Sequence, residues 1–72
     1  MVHVECYAGY KADERPLRFR IGDREFAVEQ VLDRWTAPEA DGFRVRTASG
    51  IYVLERNRTD GTWTATVWKR TY

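Results

Sequence analysis

Four glycine-centred breaks constrain this chain more than anything else in it: Ile21-Gly22-Asp23, Asp41-Gly42, Ser49-Gly50 and Asp60-Gly61. Gly and Asp tolerate the positive φ that tight hairpins need. The runs between the breaks are short and rich in Val, Ile, Thr, Tyr, Phe and Trp, side chains that suit a pleated surface. A chain of this kind is expected to be a series of strands joined by tight reversals. Residues 2–7 alternate Val2, Val4 and Cys6 against His3, Glu5 and Tyr7. Residues 17–21 set Leu17, Phe19 and Ile21 against Arg18 and Arg20, and residues 8–16 between these runs read as a polar loop.

Residues 24–35 carry two conflicting signals. Val28, Val31, Leu32 and Trp35 have the i, i+3, i+4, i+7 spacing of an amphipathic helix. Closing a two-residue loop at Gly22-Asp23 argues the other way. It sets Phe19 opposite Phe26, Leu17 opposite Val28 and Arg20 opposite Glu25, so that apolar meets apolar and unlike charges meet. Residues 24–30 are therefore read as a strand with a bulge or bend near Gln30-Val31; a short helical turn around 31–35 is the alternative. With Ser49-Gly50 as the next loop, Val45 faces Leu54 and Arg44 faces Glu55. A turn at Asp60-Gly61 sets Leu54 opposite Val67 and Val53 opposite Trp68.

The expected fold is all-β, a five-stranded antiparallel meander. One sheet with a single apolar face cannot bury itself, so it should curl into a small SH3-like, partly open barrel; a curled sheet capped by a short helix comes second. The expected interior is Val4, Cys6, Leu17, Phe19, Ile21, Phe26, Val28, Phe43, Val45, Leu54, Ala65 and Val67, with Tyr52 and Trp63 partly inside.

Seventy-two residues suffice for a single small barrel-like domain spanning 1–72, with a thin margin of buried surface. The 12 basic and 11 acidic residues leave a net charge of +1, which argues against a strongly basic nucleic-acid arm. One cysteine precludes an internal disulfide framework, and no apolar run approaches the roughly 20 residues of a membrane span. The charged start does not read as a signal peptide, so the expected compartment is the cytoplasm.

Parts for catalysis are few. His3 and Cys6, three apart on one strand, point to opposite faces, and no second His or Cys completes a zinc site. The glycines are scattered singly, without a phosphate-cradling loop. The chain is therefore expected to be no enzyme, with no cofactor, no metal and no small-molecule substrate.

The register points instead to a surface. Arg46, Val53 and Trp68 should share one row on the outer face, beside Ala48, Ile51 and Arg70. An exposed Trp between aliphatic residues and two Arg suits a partner anchor, because interface hot spots favour Trp and Arg. A bland alternative is that the loop, the first strand or a twofold mate covers this face. Tyr7, Tyr10 and Trp35 form a second candidate, lining a groove or simply plugging one end of the barrel. Two classes of function follow: a protein-interaction module that binds an unknown protein or a second copy of itself, and, behind it, a small-barrel binder of RNA or single-stranded DNA.

The segments Glu5-Cys6-Tyr7-Ala8-Gly9-Tyr10-Lys11, Val31-Leu32-Asp33-Arg34-Trp35, Phe43-Arg44-Val45-Arg46 and Ile51-Tyr52-Val53-Leu54, with Pro16 and Phe19, carry a resemblance. Together they resemble a family of roughly 70-residue, uncharacterised bacterial cytoplasmic proteins with an ECYxGYK-like start and an LDRW-like middle. The resemblance implies a free-standing small cytoplasmic protein, and no activity or site residue comes with it.

Overall fold

The alternating runs fold into seven strands, and no helix occurs among the described residues. The structure is a computed structural model that describes residues 2–7 and 15–70, with Tyr7 and Arg70 described through their backbone only. In chain order the strands are β1 (Val2–Tyr7), β2 (Arg15–Ile21), β3 (Arg24–Ala27), β4 (Gln30–Thr36), β5 (Ala40–Thr47), β6 (Gly50–Asn57) and β7 (Trp63–Arg70). They form two antiparallel sheets, β1-β2-β3 and β4-β5-β6-β7. The fold is thus all-β, but the described residues form seven strands in a three-plus-four arrangement and not five in one curled sheet. Strands β1 and β7 approach each other, yet share no ladder among the described residues, so the expected barrel is not closed.

The first hairpin follows the expected register. Phe19 pairs with Phe26 and Arg20 with Glu25, and the Val28 amide donates to the Leu17 carbonyl at 2.9 Å, one step beyond the ladder. Gly22 supplies the positive φ of +60° that this turn requires. Beyond it, the expected single strand over residues 24–30 divides. Ala27 ends β3 and Gln30 begins β4, while the Glu29 amide donates to the Arg46 carbonyl at 2.8 Å. Val28 and Glu29 therefore carry the chain from one sheet to the other.

Residues 31–35 are strand, and no helical turn forms. A bulge explains their helix-like spacing: Val31 pairs with Val45 and Asp33 with Arg44, leaving Leu32 as the extra residue. A second irregularity corrects the interior. Glu5 pairs with Arg18 but Cys6 with Pro16, so Leu17 is the unpaired residue and is 41% exposed. Pro16, which has no N–H to give a ladder, takes the buried place instead.

The next two hairpins lie two residues away from the expected register. Thr47 pairs with Gly50 around an Ala48-Ser49 loop, so Val45 faces Tyr52, Phe43 faces Leu54 and Arg44 faces Val53. Buried Thr47 specifies this loop: its hydroxyl donates to the Gly50 carbonyl at 2.9 Å and accepts from the Ser49 amide at 3.1 Å. Gly50 is still required, since its φ of +134° suits glycine, but it opens the strand and does not make the turn. The last connection spans residues 58–62. Asn57 Oδ1 accepts from the Thr59 amide at 2.7 Å, and the Asn57 amide donates to the Thr62 carbonyl at 2.8 Å. Leu54 consequently pairs with Ala65 and Val53 with Thr66, not with Val67 and Trp68.

A shift of two keeps every side chain on its face. The core therefore holds Phe19, Phe26, Phe43, Val45, Tyr52 and Leu54, with Val4, Ile21, Val28, Val31, Trp63 and Ala65 packed against it. Tyr52 is fully inside, whereas Val67, expected there, is 40% exposed. Three rings join the sheets: Phe19 stacks on Phe26 at 4.9 Å, and Tyr52 of the other sheet meets them at 5.4 and 5.0 Å. Such ring pairs add about 0.5–1.5 kcal/mol each beyond burial.

Candidate functional site

The four-stranded sheet turns one face to the core, and no described strand packs on the other. Ladder register orders that outer face into rows. Asp33, Arg44, Val53 and Thr66 form one, and Trp35, Gly42, Glu55 and Thr64 form the next. Gln30, Arg46 and Ile51 form a third, which meets β7 at Lys69. A bulge between Ile51 and Tyr52 places Trp68 at this end of β7. Arg46, Val53 and Trp68 thus share the face but not the row expected for them.

Trp68 is 62% exposed, the most open large apolar side chain among the described residues. The Arg44 guanidinium sits 5.3 Å from its ring centroid, a cation–π contact, and the same Arg44 is ion-paired with Asp33. Arg44 Nε is shut off from solvent with no hydrogen-bond partner among the described residues. Arg44 therefore pairs with Asp33, not with Glu55, because the two-residue shift brings Val53 opposite it. Arg46 is exposed and lies 3.8 Å from Glu29. Val53 is half-buried beside Arg44.

Trp35 joins this face rather than a barrel end. It is 38% exposed, and its indole lies directly over Gly42, where a Cβ would collide with Cε2, Nε1 and Cζ2. Trp35 on β4 and Trp68 on β7 are three strand spacings apart, roughly 14 Å across the sheet. The Leu32 bulge turns Trp35 outward, a phase change that simple alternation misses. Tyr10 lies outside the described residues, and for Tyr7 and Arg70 only the backbone is described, opposite Arg15 and Gly50. Sequence reasoning missed Arg44 as a member of the site.

Two other charged clusters tie strands together. Asp41 accepts from Arg58 Nη2 at 2.7 Å and Nε at 3.2 Å, and from Arg56 Nη2 at 3.4 Å. The Arg58 hydrogen bonds hold the Asp41 carboxyl below its usual value, against a smaller opposing effect of burial. On the outer face of the three-stranded sheet, Arg18 bridges Glu5 at 2.9 Å and Glu25 at 3.7 Å. His3 is exposed and Cys6 half-buried. Among the described residues no three His, Cys, Asp or Glu side chains group as a metal site, and no helix is long and apolar enough to cross a membrane. No protein-family model matches the chain, and neither a curated protein nor a solved structure is similar to it.

Proposed function

We propose that this chain is a non-enzymatic protein-interaction module whose contact surface is the outer face of the four-stranded sheet. The exposure of Trp68, held by Arg44 on the same face as Trp35, carries this reading. Trp and Arg are enriched among the residues that carry most of the binding energy of interfaces, Trp through its large rigid contact and Arg through its planar guanidinium. Pairing of Arg44 with Asp33 and of Arg46 with Glu29 favours a protein partner over a polyanion, since phosphates would have to displace those carboxylates. A second reading draws on the same two indoles. An open antiparallel sheet with exposed aromatics also suits base stacking, so RNA or single-stranded DNA is the alternative partner.

Trp68→Ala tests the first reading. The side chain lies outside the core, so the variant should melt within a few degrees of the parent while losing self-association in sedimentation velocity, or losing the protein that co-purifies with the parent. A collapse of the thermal melt would place Trp68 in the structural core instead. Fluorescence anisotropy with labelled single-stranded RNA and DNA at low salt separates the two readings: Trp68-dependent binding at micromolar protein would favour nucleic acid.

A further inference from the structure

At one end of the sandwich, a cleft of about 510 Å³ opens between the β2–β3 turn and the β5–β6 turn. That volume falls within the roughly 300–1,000 Å³ of small-molecule sites. Ile21, Phe26 and Val67 line it together with Arg24, Ser49 and Tyr52, so its lining mixes apolar and polar groups. The residues come from separate stretches of the chain, so only the packing of one sheet on the other assembles the cleft.

Two polar groups there have no hydrogen-bond or ion-pair partner among the described residues. Tyr52 is 6% exposed, yet its hydroxyl bonds to no other described residue and is not sealed from solvent. It lines the cleft and so offers a donor there. Arg24 holds its guanidinium 5.2 Å from the Phe26 ring centroid and makes no ion pair with a described carboxylate. Arg18, Arg44, Arg46, Arg56 and Arg58 differ, each facing a carboxylate. Stacking on Phe26 holds the Arg24 fork in place and leaves its N–H donors unclaimed by the described residues, an arrangement suited to a planar carboxylate.

We propose that this cleft binds a small organic carboxylate with an apolar body. The carboxylate sits on the Arg24 guanidinium, the body lies against Ile21 and Val67, and the Tyr52 hydroxyl donates to an acceptor of the ligand. This site is separate from the tryptophan face and stands whether or not that face binds a protein.

Proton–nitrogen NMR titration of the full chain with 4-phenylbutyrate, and with the neutral 4-phenylbutan-1-ol, tests it. The butyrate should give saturable shifts at Ile21, Phe26 and Val67 and bind roughly tenfold tighter than the alcohol, the size of one charge-assisted contact at a wet site. Arg24→Gln should erase that preference while leaving spectral dispersion unchanged. Tyr52→Phe, which keeps the ring packing, should weaken the butyrate roughly threefold, the loss of one neutral hydrogen bond. Equal affinity for the two probes, an unaltered preference in Arg24→Gln, absence of saturation at millimolar probe, or shifts centred on Trp35 and Trp68 would each overturn the proposal.

Discussion

Replacing Gly42 with Ala should destabilise this protein, although within a strand Ala is ordinarily better than Gly by about 0.5–1 kcal/mol. The reason is the Trp35 indole. The new Cβ would strike Cε2, Nε1 and Cζ2, atoms in the body of the ring, so the whole side chain must move. Gly42 cannot retreat, because it is laddered to Trp35 on one side and Glu55 on the other. Overpacking of this kind costs about 1–3 kcal/mol. Trp35 lies on the edge strand and is 38% exposed, so its ring can swing outward and the cost falls short of the upper end. Subtracting the strand preference leaves a net loss of up to about 2 kcal/mol, which at about 4–8 °C per kcal/mol is a clearly lower Tm in a domain this small. In a Trp35→Ala background the obstacle is gone, and Gly42→Ala should stabilise by about 0.5–1 kcal/mol. Urea denaturation of the four proteins, followed by far-ultraviolet circular dichroism, measures both legs of the cycle. Gly42→Ala that stabilises the Trp35 protein and the Trp35→Ala protein alike would refute the stacking, and with it the placement of Trp35 on the outer face.

Core and bulge should respond oppositely to truncation. Phe19→Ala should cost about 3–5 kcal/mol, enough to unfold much of the population, whereas Leu17→Ala at the exposed bulge should cost less than about 1 kcal/mol in the same urea titration. Acid should weaken the Asp41 cluster. Its carboxyl titrates lower in the folded chain, through Arg58 first and Arg56 after it, so its stabilisation is complete above the unfolded carboxylate value and disappears as pH falls through the lowered one. Asp60 behaves alike, because the Thr62 hydroxyl and amide hydrogen-bond to it. Thermal melts should therefore be flat above about pH 5 and fall below about pH 4, and Asp41→Asn should make that fall shallower; an unchanged acid limb would show that the cluster does not contribute.

How much of this was legible in the sequence depended on how each loop is specified. The first hairpin was fully readable, since a glycine turn and two matched faces, Phe19 with Phe26 and Arg20 with Glu25, agree on one register. The later loops are specified by side-chain caps instead. Thr47 fixes Ala48-Ser49, and Asn57 with Asp60 shapes the five residues 58–62, so reading the glycines as turn centres misplaced both by two positions. Faces survive such an error and neighbours do not. Trp68 was thus correctly put outside but given Arg46 and Val53 for company in place of Arg44. Trp35 was hidden by the Leu32 bulge, and the division at Val28 and Glu29 by a sequence that continues smoothly from one sheet to the next.

Arginine covers three of the rings in and around the core. Arg24 lies over Phe26, Arg34 over Phe43 and Arg56 over Trp63, at 5.2, 5.3 and 5.7 Å. A flat, weakly hydrated cation shields those rings without adding an oily surface. The preference for Arg over Lys, ten against two, therefore has a colloidal consequence. Exchanging these guanidiniums for ammonium groups would keep the net charge, yet bare aromatic faces through which copies of the chain could clump.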